Sequence, residues 1–296
     1  MRLGFCVGSH PMDELCIRRR RRDDAVALVA AGRATTYREL AMEAATWLRE
    51  HPPEPLTILS ESSSRALVVK LVALLDAHRP FALLHPKLSP RERAEQTATL
   101  HAHPHLPVGT AAVLFTSGSS GLAKAACLPR SAFVASARAT ATHLGPHVLA
   151  RWLLALPLCH VGGLSVLTRA LLLGTTVVLE ERFDPGAAYD VTGASLVPTL
   201  LRRLLRETTG SLARFGVVVV GGAGTPPELL DAARARGLTA LCTYGMTETC
   251  AQVALEPFED ALAPGASRSS GVALGSTDLS MVDGRIHVRG PTLFSG

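Results

Sequence analysis

The chain has 296 residues, of which 47% are hydrophobic, 4% aromatic and 19% charged. A chain of this size and composition can bury a large core built mainly from Leu, Val and Ala, which excludes an intrinsically disordered protein. The net charge of +5 comes partly from a basic run at residues 18–22, followed by Asp23 and Asp24. We interpret this run as a solvated helix end. A nucleic-acid patch is disfavoured because no second basic cluster or interleaved aromatic residue accompanies it.

The predicted strands and helices alternate along the chain. Strands are predicted at residues 25–30, 56–60, 111–115, 177–180, 195–197, 217–220 and 240–243. Helices are predicted at residues 36–49, 63–77, 131–144, 164–173, 199–208 and 227–236, with Thr35 or Thr36 capping the first. This alternation is typical of an α/β protein with mostly parallel sheets.

The last part of the chain changes character. Residues 279–282 and 285–288 flank Asp283 and Gly284, a pair that strongly predicts a β-hairpin. We therefore expect α/β layers over about residues 1–262 and a β-rich subdomain over about residues 263–296.

The cysteines and the apolar stretches indicate the compartment. Six cysteines are scattered without a CxxC pair, which favours free thiols in a reducing cytoplasm over a zinc finger or a disulfide framework. No secretory signal opens the sequence. The most apolar stretch, residues 149–179, contains Arg151, His160 and Arg169, so no membrane span is expected. We predict a cytoplasmic protein and leave a homo-oligomer open.

A first candidate site is the segment LFTSGSSGLAKA at residues 114–125, which begins in a predicted strand and continues into a loop. Glycine lets a backbone approach phosphate oxygens, hydroxyl and amide groups donate to them, and a lysine adds positive charge. The segment is not a Walker A loop, because Lys124 follows Ala123 and no Ser or Thr follows the lysine. Phosphate binding is favoured over a polar surface loop.

Two further segments each follow a predicted strand. VVVVGGAGTPPELL at residues 217–230 has a strand, a glycine turn and a helix start, which suits a nucleotide pocket. It also suits a dinucleotide site, although the fingerprint is incomplete there. In TYGMTETC at residues 243–250, Tyr244 can stack on a base, Thr247 can donate to phosphate and Glu248 can bind Mg²⁺. Taken alone, ordinary core and surface roles for these residues are slightly favoured.

In this order the three segments resemble the adenylate-forming superfamily of acyl-CoA synthetases, luciferases and peptide-synthetase adenylation domains. The resemblance is strongest at residues 112–124, 154–178 and 217–253. It implies the large N-terminal domain of an adenylate-forming enzyme, with layered β-sheets, packed helices and a small distorted β-barrel region near the C-terminus. It also implies ATP, Mg²⁺ and coenzyme A, the last as co-substrate.

The resemblance assigns roles to individual residues. The implied phosphate loop comprises Thr116, Ser117, Gly118, Ser119, Ser120, Gly121 and Lys124, with Ala123 in place of the usual proline. The implied nucleotide site comprises Gly222, Ala223, Tyr244, Gly245 and Thr247, with Glu248 as the Mg²⁺ ligand. Catalytic roles are implied for Lys124, His160, Thr247 and Glu248.

Residues 156–179, LPLCHVGGLSVLTRALLLGTTVVL, and the extended YGMTETCAQV resemble the o-succinylbenzoate–CoA ligase family of menaquinone biosynthesis. There His160 borders the acid pocket, and Cys159 replaces a usual phenylalanine. The implied acid-binding set is His160, Gly163, Ser165, Arg169, Ser195, Thr199 and Met246. Arg169 is the candidate for the second carboxylate of the acid, with a helix-surface charge as an equal alternative. For His160, a core histidine is the weaker alternative.

Family members continue beyond the last residue of this sequence with a ribose-binding aspartate, a hinge and a small C-terminal lid domain. We therefore expect this chain alone to bind its ligands and to turn over slowly or not at all. Three alternatives stay open: another acyl- or aryl-CoA synthetase, a catalytically impaired ligand-binding homologue, and a nicotinamide-dependent dehydrogenase using the glycine turn.

Overall fold

The computed structural model describes residues 14–20, 22–116, 123–262 and 269–296. The α-helices in these ranges are α1 Tyr37–Glu50, α2 Arg65–Asp76, α3 Pro90–Ala102, α4 Arg130–Leu144, α5 Val161–Leu173, α6 Pro198–Glu207, α7 Pro227–Ala235 and α8 Phe258–Leu262. Each of these described helices is too short or too polar to serve as a bilayer-spanning segment.

The strands, in chain order, are β1 Val26–Ala30, β2 Arg33–Thr36, β3 Thr57–Leu59, β4 Phe81–Leu83, β5 Thr110–Thr116, β6 Lys124–Pro129, β7 Arg151–Leu154, β8 Thr176–Leu179, β9 Gly193–Leu196, β10 Val217–Val220, β11 Thr239–Met246, β12 Ala251–Leu255, β13 Val272–Ala273, β14 Asp278–Val282 and β15 Arg285–Arg289. They confirm the predicted α/β class.

Nine of these strands form the large sheet, in the order β13-β12-β11-β10-β9-β7-β8-β1-β2. Its interior, from β11 to β1, is parallel, whereas β2, β12 and β13 pair antiparallel at the edges. The prediction of mostly parallel strands is therefore confirmed for the interior only. The β1–β2 edge differs because Ala31 and Gly32, both with positive φ, close a tight hairpin.

A second sheet has the order β3-β4-β5-β6 and contains the strand that leads into the first candidate segment. β3, β4 and β5 are parallel, and β6 returns antiparallel to β5. The largest cluster of buried side chains includes residues of both sheets and of α2, α4 and α5. This shared core fixes the position of one sheet relative to the other.

The C-terminal strands divide between two places. β14 and β15 form the predicted hairpin, with Asp283 and Gly284 at positive φ in its turn. β13 instead joins β12 at the edge of the large sheet. Within the described residues these strands close no barrel, because only two of them pair with each other and the third extends a different sheet. The expected barrel-like region is thus present as a hairpin.

Candidate active site

A cavity of about 410 Å³ lies where β10 and β11 end. These strands are parallel, so the turns that follow them leave the sheet at the same edge. Four residues predicted to hold a nucleotide line this β10–β11 cavity: Gly222, Ala223, Tyr244 and Gly245. The volume is within the usual range of about 300–1,000 Å³ for small-molecule sites. The structure therefore brings the second and third candidate segments together.

Glycines let the backbone segments beside the cavity approach each other closely. A Cβ on Gly221 would lie 2.4 Å from Thr243 Cγ2, and a Cβ on Gly245 would lie 2.0 Å from the Ala251 carbonyl oxygen. The register between β11 and β12 also shifts at Tyr244 and Gly245, as in a β-bulge. Larger side chains at Gly221 or Gly245 would force the strands apart.

Thr247 and Glu248 lie in the 3₁₀-helix Thr247–Thr249, directly after β11. The Thr249 hydroxyl fixes this turn, since it accepts a hydrogen bond from Met246 N at 3.0 Å and lies 2.8 Å from the Ala251 carbonyl oxygen. Cys250 and Ala251 then take backbone φ values of 51° and 84°, which residues other than glycine rarely adopt. Such backbone strain is found preferentially at functional sites.

Thr116 and Lys124 lie on either side of the loop in the first candidate segment. They are cross-strand partners at the ends of β5 and β6. The predicted phosphate-loop residues between them, Ser117, Gly118, Ser119, Ser120 and Gly121, lie outside the described residues.

Residues 294–296 link the first and third candidate segments through the backbone. Phe294 N donates to the Glu248 carbonyl oxygen at 2.9 Å. Ser295 N donates to the Cys127 carbonyl oxygen at 2.8 Å, and Cys127 N donates to the Gly296 carbonyl oxygen at 2.7 Å. The strand that begins at Lys124 is thereby tied to the turn that carries Glu248.

Arg169 is buried inside α5, with 3% of its surface exposed, so the helix-surface alternative is wrong. Its guanidinium lies over the Trp152 ring, 4.7 Å from the centroid, and Trp152 Nε1 donates to Ser195 Oγ at 3.0 Å. Burial lowers the pKa of Arg169 to about 10. Its Nη2 has no hydrogen-bond partner among the described residues. A buried cation with an unused donor is a candidate anion-binding group.

His160 is the N-cap residue of α5 and is exposed to solvent. Partial burial of its ring, and secondarily the charge of His85, lowers the pKa of His160. The neutral imidazole is therefore favoured near neutral pH. Cys159, immediately before it, is buried, and this burial raises the pKa of its thiol to about 11.

Four other predicted acid-binding residues have separate positions and contacts in the structure. A Cβ on Gly163 would lie 2.3 Å from the Pro157 carbonyl oxygen, so this glycine serves the close approach of α5 to the preceding turn. The Ser165 hydroxyl donates to the Gly162 carbonyl oxygen at 3.0 Å within its own helix. Thr199 is exposed at the start of α6, and Met246 is 38% exposed at the end of β11.

Sequence reasoning missed several residues that line the β10–β11 cavity: Asp231, Arg234, Cys242, Ser269 and Ser270. One signal was present for the first two. Pro227, Asp231 and Arg234 are spaced so that they share one face of α7, which follows the glycine turn. The two serines carried no such signal.

A family model described as AMP-binding enzyme matches residues 101–296. The chain belongs to this family. It is similar to the 2-succinylbenzoate–CoA ligase of Bacillus licheniformis, with 34% identity over 200 residues. That match covers 63% of this chain and 42% of the relative, so the chain aligns with less than half the relative's length.

Solved structures with the same fold include Bacillus subtilis o-succinylbenzoate CoA synthetase in complex with ATP and magnesium ion, and the same enzyme in complex with the acyl-adenylate intermediate OSB-AMP. Each has 25% sequence identity and a TM-score of 0.82. The alignments cover 96% of this chain and 72% and 70% of the respective relatives.

Proposed function

We propose that this chain binds ATP with Mg²⁺ and activates a carboxylic acid as its acyl-adenylate, for transfer to coenzyme A. The observation that carries the proposal is the β10–β11 cavity, where Gly222, Ala223 and Tyr244 meet and beyond which β11 leads directly to Thr247 and Glu248. An aromatic ring can stack on the base of a nucleoside triphosphate, and backbone and hydroxyl groups can donate to its phosphate oxygens. A carboxylate beside them can hold the metal ion.

The residues fit Mg²⁺, because Glu248 offers one carboxylate on a turn anchored by Phe294, and Mg²⁺ is usually held by one or two carboxylates plus phosphate oxygens. When bound, this ion offsets charge on the transferring phosphoryl group. Thr247 would donate to the α-phosphate, and Thr116 and Lys124 would face the outer phosphates. Tyr244 would orient the base, so that the α-phosphorus is presented to the acid.

The proposed reaction has two steps. A carboxylate oxygen of the acid attacks the α-phosphorus, the bond from that phosphorus to the bridging oxygen breaks, and pyrophosphate leaves with the electron pair. The thiol of coenzyme A then attacks the acyl carbon and loses its proton, and AMP leaves. His160, neutral and at the start of α5, would lie beside the acid during these steps.

We propose further that the acid is o-succinylbenzoate, which carries a second carboxylate. Arg169 supports this substrate class, since its buried Nη2 lacks a partner among the described residues and an anion would supply one. Ser195, whose hydroxyl accepts a hydrogen bond from Trp152 Nε1, would donate its own proton to this carboxylate. The similar solved structure with OSB-AMP supports the same assignment. The unpaired state of five cysteines in the described part of the chain supports a reducing cytoplasm as the compartment.

The first test is a thermal-unfolding titration of the chain with Mg-ATP, o-succinylbenzoate, benzoate, octanoate and NAD. A ligand that binds only the folded state stabilises it by about 2.7 kcal/mol at a hundredfold excess over its dissociation constant. We expect stabilisation by Mg-ATP and by o-succinylbenzoate and none by NAD. Stabilisation by NAD alone would instead favour the dehydrogenase alternative.

The substrate class is tested with Arg169→Met beside Arg202→Met. Arg202 is exposed on α6 and serves as a matched loss of one arginine. We expect Arg169→Met to lose stabilisation by o-succinylbenzoate while it retains that by Mg-ATP, and Arg202→Met to retain both. Undiminished binding of o-succinylbenzoate by Arg169→Met would refute the assigned acid and leave the nucleotide site standing.

A further inference from the structure

His85, Cys159 and His160 form a cluster where the two sheets meet. One ring nitrogen of each histidine and the Cys159 Sγ all lie within 4.8 Å of one another. The imidazole centroids are 5.7 Å apart. His85 follows β4 of the smaller sheet, whereas Cys159 and His160 lie between β7 and α5 of the larger one. Residues from distant parts of the chain thus bring together three metal-ligating side chains.

Hydrogen bonds donated by backbone N–H groups anchor both sides of this cluster. Leu84 N, just before His85, donates to the Leu59 carbonyl oxygen at 2.9 Å. Leu158 N, just before Cys159, donates to Ser63 Oγ at 2.8 Å. Leu59 ends β3 and Ser63 follows four residues later, so one short segment positions both halves of the cluster. A site held in this way needs little backbone movement to accept a ligand.

The side chains are close to the arrangement that a tetrahedral ion requires. Ligand bonds of about 2.0–2.3 Å place the ligand atoms about 3.5 Å from one another. Since these atoms lie within 4.8 Å of one another, side-chain rotation must shorten the distances by about 1.3 Å at most. No hydrogen bond to the His160 ring occurs within the described residues. Nδ1 of His85 accepts a hydrogen bond from Lys87 N at 3.1 Å, which ligation through that nitrogen would replace.

We propose that His85, Cys159 and His160 bind a borderline-soft divalent cation such as Zn²⁺. Two imidazoles and one thiolate are the donor types that such ions select over Mg²⁺ and Ca²⁺. The Cys159 thiol releases its proton to solvent as the metal–sulfur bond forms, and no oxidation state changes. Because His160 is exposed, water can reach the fourth position. This cluster does not include the proposed Mg²⁺ ligand Glu248, and it shares His160 with the proposed acid site.

A Co²⁺ titration of the full chain, without ATP or acid, tests the site. Tetrahedral Co²⁺ bound to a thiolate absorbs visible light and shows a sulfur-to-metal charge-transfer band in the near ultraviolet. We expect both features to saturate at one equivalent of Co²⁺ and to disappear when Zn²⁺ is added. Because no nucleotide or acid is present, failure of this test is distinct from failure of the proposed function.

Variants assign the band to the cluster. Cys159→Ser should abolish the charge-transfer band, and His85→Gln and His160→Gln should each weaken Co²⁺ binding by roughly tenfold or more. Cys16→Ser is the control, because Cys16 also contacts an imidazole, with its Sγ 3.5 Å from His78 Nε2, and its loss should leave the band unchanged.

Three results would each overturn the proposal: no charge-transfer band in the folded wild-type chain, a band that persists in Cys159→Ser, or unchanged affinity in both histidine variants. Circular dichroism of every variant accompanies the titration. If Cys159→Ser does not fold, the variant His160→Gln, at an exposed position, decides the question on its own. Unchanged Co²⁺ affinity in this variant refutes the site.

Discussion

Arg234 and Glu256 form an ion pair next to the β10–β11 cavity, with Arg234 Nη2 2.6 Å from Glu256 Oε2. The side chain of Glu256 is 1% exposed and that of Arg234 is 15% exposed. The same carboxylate oxygen accepts from Cys242 N at 2.9 Å, and Arg234 also donates to the Ala240 carbonyl oxygen. The pair therefore ties α7 to β11, two elements whose residues line the cavity.

We expect Glu256→Ala to lower the free energy of unfolding by roughly 3–5 kcal/mol, because it leaves the Arg234 cation without its buried partner. Glu256→Gln should cost clearly less, since an amide oxygen can still accept from Cys242 N. Urea unfolding followed by circular dichroism gives both values. Equal losses in the two variants would show that the charge of Glu256, which both variants remove, carries the stabilisation and that the hydrogen bond from Cys242 N adds nothing to it.

Gly245→Ala should weaken Mg-ATP binding and destabilise the chain, because the new Cβ would lie 2.0 Å from the Ala251 carbonyl oxygen and force β11 away from β12. Gly224→Ala is the matched change in the same cavity, where a Cβ meets no atom within 4 Å. Titration calorimetry with Mg-ATP should therefore separate the two variants. Wild-type affinity in Gly245→Ala would contradict the close approach of β11 to β12 as a determinant of the site.

Arg169→Met should raise the free energy of unfolding even though it removes the proposed carboxylate-binding group. A buried charge without a full set of partners is costly, and apolar replacement of buried ionic groups of similar volume often stabilises a protein by about 1–4 kcal/mol. Thermal and urea unfolding without ligand measure this change. A destabilised Arg169→Met would mean that the contact with Trp152 outweighs the cost of burying the charge.

The capping box of α1 should make the free energy of unfolding depend on pH in the acid range. Hydrogen bonds from the backbone N–H and hydroxyl of Thr36 lower the pKa of Glu39 below its usual 4.5. The carboxylate's stabilising contribution is therefore complete above about pH 4.5 and is lost as the pH falls through the lowered native value. The difference in unfolding free energy between wild type and Glu39→Gln should shrink over that range.

Urea titrations at several pH values measure this difference. Glu50→Gln removes an exposed carboxylate from the other end of the same helix and is measured alongside as the control. A Glu39→Gln difference that stays constant as the carboxylate titrates would contradict the role of the ionised cap.

Local signals in the sequence predicted the elements that depend on local chemistry. The Thr36 cap of α1, the all-apolar β10 and the hairpin turn at Asp283 and Gly284 are each confirmed. The helix α3 went unpredicted because only Leu100 in it is buried, so it lacks an apolar period. Its capping box, formed by Ser89 and Glu92, was the signal that could have identified it.

Features that depend on tertiary packing could not be predicted in this way. Arg169 has the same spacing in the sequence whether α5 lies on the surface or in the core, and only the packing of α5 against β7 and the rest of the core buries it. The walls of the β10–β11 cavity combine residues from α7 with Ser269 and Ser270, which are separated by a long stretch of sequence. Proximity of that kind has no local sequence signature.

The hydrogen bonds of residues 294–296 have a consequence for sequence variation. They join the strand after Lys124 to the turn at Glu248 through peptide groups alone. The spacing between this strand and this turn therefore does not depend on which side chains stand at positions 294–296. Substitutions at positions 294 and 295 can accumulate without altering the distance between the strand and the turn, provided that both residues keep their backbone N–H and so are not proline.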